Sequence, residues 1–122
     1  MRVAVLADDL IWSTRLADAL RAAGADPRPI RSLSSLRDAL FDVDRVVVDL
    51  TARAYDGVAA IEAAHAAGLP VLAVGQHDDH MLRKRALAAG ADRVYAYRKL
   101  FEDGPATLRA WLGAPAAAET VR

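Results

Sequence analysis

Five short apolar runs, separated by longer stretches with helical spacing, constrain the fold of this chain more than any other feature. The runs Val46-Val47-Val48 and Val71-Leu72-Ala73-Val74 are continuous rather than alternating. A strand that shows one face to water alternates apolar and polar residues, whereas a continuous run must be covered on both faces. Parallel sheets provide that cover, because each crossover helix packs onto the sheet it returns to. The pattern predicts strands over 3–7, 27–31, 45–49, 70–74 and 93–97.

The intervening segments read as helices. Residues 13–23 set Leu16, Ala17, Leu20 and Ala23 on one face, and Gly24 ends the run. A short second helix has Ser34 or Ser35 as N-cap ahead of Leu36 and Leu40. The third spans 56–67 and stops at Gly68. The fourth is capped by Asp78 or Asp79 and ends at Gly90. The fifth starts near Pro105 and includes Leu108, Trp111 and Leu112, with Trp111 expected in the core. Residues 1–113 then form one domain, and 114–122 are expected to fray.

Five βα units with right-handed crossovers give a three-layer, doubly wound α/β sandwich. The flavodoxin-like parallel order 2-1-3-4-5 suits this length. It makes strands 1 and 3 neighbours at the topological switch point, where such sheets hold ligands.

Composition narrows function mainly by exclusion. The absence of cysteine removes disulfides, thiolate metal sites and cysteine nucleophiles. Sixteen basic residues balance sixteen acidic ones, so no basic excess points to nucleic acid. No apolar run reaches the length of a membrane span or of a secretory leader. The expectation is a cytoplasmic protein without nucleic-acid or membrane partners.

The chemistry concentrates at two strand ends. Asp8-Asp9 follow strand 1, and Asp49 ends strand 3. On adjacent strands, three carboxylates would converge at the carboxyl edge of the sheet. Ionised together, they call for a counter-charge, and oxygen ligands with room for water suit Mg²⁺. A carboxylate beside Mg²⁺ is a nucleophile toward a phosphoryl group. Against this stands a plainer role, since aspartates also gather at strand ends as turn formers and helix caps.

These residues carry a family resemblance. Val-Ala-Val-Leu-Ala-Asp8-Asp9, with Leu16 and Leu20 behind it, resembles the opening of response-regulator receiver domains. Val-Val-Val-Asp49-Leu-Thr51 followed by Asp56-Gly57 looks like the phosphoacceptor strand of that family. Pro70-Val-Leu-Ala-Val and Ala88-Ala-Gly90-Ala-Asp92 match its fourth unit, and the likeness runs over about residues 2–112. The resemblance implies Asp49 as phosphoacceptor, with Asp8, Asp9, Asp49 and the Thr51 carbonyl as Mg²⁺ ligands. It also implies a sensor histidine kinase or phosphotransfer protein as partner, docking beside the site near Ile11 and Trp12, which are expected in a loop. Output would be a contact with a downstream protein through helix 4, strand 5 and helix 5.

The chain departs from the family at the positions that respond to phosphorylation. Gly75 stands where the family has Thr or Ser, Val94 where it has the switch aromatic, and Tyr97 where it has lysine. Tyr95 is one residue out and would face the other side of the sheet. Arg53 replaces the proline of the acceptor loop. A two-residue extension of strand 5 would preserve side-chain parity and bring Lys99 to the lysine's place. The preferred reading keeps Arg98 and Lys99 as solvated loop charges.

Other features read more plainly. His77-Asp78-Asp79-His80 contains ligand residue types but is better explained as a helix start, and His65 as part of a solvated face. The sequence thus reads as a stand-alone atypical receiver domain in phosphorelay signal transduction, not an enzyme. The alternative is a phosphorylation-independent pseudo-receiver for protein–protein interaction or homodimerisation. A small metal-dependent phosphohydrolase is a third class without an evident general acid.

Overall fold

The computed structural model describes residues 1–76 and 79–113. Along them run β1 (Arg2–Leu6), α1 (Leu10–Ala22), β2 (Asp26–Ile30), α2 (Leu33–Ala39), β3 (Arg45–Asp49) and α3 (Gly57–Ala66). Then follow β4 (Val71–Gly75), α4 (His80–Ala89), β5 (Arg93–Ala96), α5 (Tyr97–Glu102) and α6 (Pro105–Gly113). The five strands pair in parallel in the order β2-β1-β3-β4-β5, as the alternation of runs predicts. The expected tail, 114–122, lies outside the described residues, as do His77 and Asp78.

Strand periodicity sorts the core into two layers. Ala4, Leu6, Val46, Val48, Val71 and Ala73 face one side, where they meet Leu36 of α2, Ile61 of α3 and Ala86 of α4. Val3, Val5, Val47, Leu72 and Val74 face the other, against Leu16 and Leu20 of α1 and Leu108 and Trp111 of α6. β3 and β4 are buried at every position, which explains their unbroken apolar runs. Each fully buried Val or Leu contributes about 1.5–3 kcal/mol over an exposed one. Trp111, 1% exposed, is core as expected.

β2 carries two prolines yet belongs to the sheet. The Asp26 amide donates to Met1 O at 2.8 Å, so even-numbered amides face β1 and odd-numbered positions face outward. Pro27 and Pro29 fall on that outer edge, where a missing N–H leaves no ladder bond unmade.

Two helix starts differ from expectation through capping, and one helix was not expected at all. α1 starts at Leu10 rather than Ser13, because the Asp9 carboxylate accepts from Ile11 N and Trp12 N and caps it. α2 is capped by Ser32, not Ser34 or Ser35. The segment after β5, read as a loop, is the helix α5, and its Leu100 is buried with the α1 and α6 side chains.

Candidate functional site

The adjacency of β1 and β3 brings the β1–α1 and β3–α3 loops together, and Asp8 joins them. Its Oδ2 accepts from the amides of Arg53 at 3.0 Å and Ala54 at 3.1 Å. The Arg53 amide is the main reason its carboxyl lies below the ordinary range; the Ala54 amide and the Arg31 charge add to this, and burial opposes it. Arg31 also donates to the Asp8 carbonyl at 3.1 Å. Asp9, one residue on, is exposed and turned to its capping role, 2.8 Å from Ile11 N and 3.1 Å from Trp12 N.

Asp49 ends β3 and is 1% exposed. Its Oδ1 accepts from Thr51 N at 2.9 Å and from the Thr51 hydroxyl at 2.7 Å. That hydroxyl's single proton is committed to Asp49, so the Tyr97 hydroxyl, 3.2 Å away, is the donor in their contact. Burial, followed by the nearby Asp49 carboxylate, holds the Tyr97 phenol far above the ordinary tyrosine range, and so it remains an O–H donor.

A second tyrosine closes the floor. The Tyr55 hydroxyl lies 2.9 Å from Leu6 O and 2.7 Å from Asp49 O, bridging the ends of β1 and β3 at the switch point. Burial first, then the Asp49 charge, pushes this phenol up as well.

An aromatic stack roofs the site. Trp12 lies on Tyr97 with ring centroids 4.0 Å apart and on Phe101 at 5.8 Å. The Arg15 guanidinium sits 4.8 Å over Trp12 and 4.4 Å over Phe101. Trp12 is therefore half-buried, while Ile11 is 70% exposed. Both lie in the first turn of α1, which corrects the expected loop.

The three aspartates share one edge of the sheet but do not make a donor set for a metal. Among the described residues, no group of three or more His, Asp or Glu side chains could hold a metal ion. Each of the three aspartates already commits one oxygen to protein donors. Capping and loop closure thus engage one oxygen of each carboxylate at this edge. The Thr51 carbonyl, implied as a further ligand, belongs to the residue whose amide and hydroxyl both donate to Asp49.

The remaining positions fall as follows. Gly75 is the last, buried residue of β4. Val94 packs on the α3 and α4 side, and Tyr95 on the opposite side, in line with strand parity. Lys99 does not extend strand 5: it lies on α5, its Nζ 3.2 Å from Asp103, and Arg98 pairs with Glu102 at 2.8 Å. A helix turns side chains through about 100° per residue, so the parity of a strand extension no longer applies. Asp79 caps α4 through Leu82 N, and His80 begins that helix. His65, exposed as expected, lies against Gly90. Tyr55 was missed, since a tyrosine between loop residues has no periodicity to mark it. Tyr97 was identified by position but not as a partner of the Thr51 hydroxyl.

No protein-family model matches the sequence, and no curated protein matches it. Solved structures do match the fold. The signal receiver domain of a DNA-binding response regulator from Colwellia psychrerythraea 34H is similar at 19% identity, with a TM-score of 0.78, covering 93% of this chain and 99% of that one. A CheY-like receiver domain protein from Methanospirillum hungatei JF-1 matches at 18% identity and TM-score 0.71, covering 91% and 95%. The receiver domain of a sensor histidine kinase from Pseudomonas aeruginosa PAO1 matches at 18% and 0.74, covering 93% and 98%; it is described with a magnesium ion coordinated in its active-site cleft. The chain therefore has the receiver-domain fold. Among the described residues no helix is long and apolar enough to cross a membrane.

Proposed function

We propose that this chain is a pseudo-receiver, a signalling interaction module whose partner contacts do not depend on phosphorylation of Asp49. The observation that carries this reading is the state of Asp49. Asp49 is 1% exposed, its carboxylate held by Thr51, whose hydroxyl in turn meets the Tyr97 hydroxyl beneath the Trp12 ring. In-line phosphoryl transfer needs open approach to the nucleophile and cations to offset the incoming charge. Tyr97 supplies a neutral donor instead, and Lys99 is paired with Asp103. Gly75 has no hydroxyl with which to respond.

On this reading the module has no catalytic activity of its own. The partners that suit it are a sensor histidine kinase or phosphotransfer protein at the exposed Leu10 and Ile11 beside Trp12, and a downstream protein or second copy on the α4–β5–α5 face. The receiver fold of two-component signalling proteins supports these partner classes. The rival, a phosphorelay receiver with Mg²⁺ and Asp49 as acceptor, draws its support from the position of Asp49 and from the magnesium described in the P. aeruginosa neighbour.

The experiment is intact-mass measurement after incubation with Mg²⁺ and acetyl phosphate. No phosphoryl adduct is expected on the parent chain. An adduct that is lost in Asp49→Asn would overturn the proposal in favour of the rival.

A further inference from the structure

We infer that the cavity between β4, α4 and β5 binds a small carboxylate carrying a short apolar body. The cavity measures about 150 Å³ and opens at the carboxyl ends of the strands, where open α/β sheets hold their ligands. Asp8, Asp9 and Asp49 do not line it, so the cavity lies beside the acidic edge rather than within it. Its floor is apolar and buried: Leu50, Gly75 and Val94. Its rim is polar and exposed: Gln76, Asp79, Arg83 and Lys99. An apolar floor with a few polar groups at the edge is the usual composition of a small-molecule site.

The space exists because neighbouring strand positions carry almost no side chain. Gly75 pairs in register with Ala96, and both line the cavity. The backbone does not require glycine at position 75. Its φ is not among the positive values, and an added Cβ would meet Leu50 Cβ at 3.5 Å, an ordinary contact. Glycine here makes room rather than a turn. A cavity of this size takes a benzene-sized body, roughly six heavy atoms.

The rim decides the chemistry of the occupant. Lys99 is paired with Asp103, and Asp79 Oδ1 is committed to Leu82 N. Arg83 makes no ion pair among the described residues. One of its guanidinium nitrogens, Nη1, donates to Val94 O at 2.7 Å, which fixes the planar group against β5. The other donors stay available in a set orientation, a geometry that matches a carboxylate. The acidic Asp79 on the same rim disfavours a second negative charge, so a monocarboxylate fits better than a phosphate dianion. Because Arg83 sits on α4 and bonds β5, an occupant would join those two elements and bias the surface they form.

The test is a titration of the ¹⁵N-labelled full chain with benzoate, its ring sized for the cavity and its carboxylate for Arg83. Benzamide serves as the neutral isostere and inorganic phosphate as the bare anion. Saturable benzoate shifts are expected at the amides of Gly75, Val94 and Ala96, with benzamide and phosphate at least about tenfold weaker. Arg83→Gln should reduce benzoate to the benzamide level, and Gly75→Val, which fills the floor, should abolish the shifts. Absence of saturable shifts, equal binding of benzamide, or benzoate binding unchanged in Arg83→Gln would overturn the inference. Phosphate binding as tightly as benzoate would do the same. Arg83 is exposed, so Arg83→Gln decides the matter even if Gly75→Val does not fold.

Discussion

Removing the Tyr55 hydroxyl should destabilise the fold by about 1–2 kcal/mol. The hydroxyl lies 2.9 Å from Leu6 O and 2.7 Å from Asp49 O, and its one proton serves those two acceptors. Tyr55→Phe keeps the ring, which packs against the core layer of α2, α3 and α4, and deletes only the donor. A typical hydrogen bond contributes about 0.5–1.5 kcal/mol net, and a part-buried carbonyl left without its donor adds a desolvation penalty. The cost therefore falls near the upper end of one hydrogen bond and below that of two. Urea unfolding followed by circular dichroism should show the midpoint lowered by roughly 0.5–1 M with an unchanged slope. Tyr95→Phe is the control, because the Tyr95 hydroxyl makes no hydrogen bond to the described residues; its change should stay within about 0.5 kcal/mol. A loss in Tyr55→Phe below about 0.3 kcal/mol at unchanged slope would refute the bridging role.

Other outcomes follow from the same geometry. Gly90→Ala should cost about 2–4 kcal/mol in urea melts, since φ is +117° and the new Cβ would sit 2.3 Å from His65 Cγ. Adding His65→Ala should recover only part of that loss, because the His65 Cβ itself would lie at 2.7 Å. Asp9→Ala should lose about 1 kcal/mol through the missing α1 cap, whereas Asp9→Asn, which keeps an acceptor for Ile11 N and Trp12 N, should be nearly neutral. The Asp8 carboxyl is depressed in the folded state, so its stabilising effect is complete above the unfolded value, about 3.9, and is lost as pH falls through the folded one. The stability gap between the parent chain and Asp8→Asn, measured by urea unfolding, should accordingly narrow from about pH 5 downward; a constant gap would contradict the assigned cause.

The sheet was legible in the sequence because burial on both faces leaves a mark that no other feature imitates. Val46-Val47-Val48 and Val71-Leu72-Ala73-Val74 fill both core layers, and their positions as β3 and β4 follow directly. Helix starts were less legible, because several capping residues stood within reach of each. Ser32 won over Ser34 and Ser35, and Asp9 set the start of α1 three residues before Ser13, through hydrogen bonds that depend on where the preceding strand releases the chain. α5 was illegible for a different reason: six residues carrying one buried leucine give too little periodicity to separate a helix from a loop. Tyr55 could not be found at all, since what it does is bridge two carbonyls 49 and 6 positions away along the chain.

The acidic residues raise the harder question of what a retained motif means. Asp8 staples the β3–α3 loop to the β1–α1 loop, Asp9 caps α1, and Asp49 closes the turn through Thr51. Each task is met by a side-chain oxygen that accepts from backbone amides. A chain selected for these bonds alone would still show the trio at the ends of strands 1 and 3. Their presence therefore marks the architecture, and the discriminating residues are those that architecture leaves free to vary. At Gly75 the backbone would accept a side chain, yet none is there. At Tyr97 a cation could reach the site, yet a phenol held as a neutral donor stacks on Trp12. On the proposed reading both choices leave out groups that would meet a phosphoryl oxygen, and the first opens a cavity beside Arg83. The same positions thus weigh against control by phosphate and toward control by a ligand of a different kind.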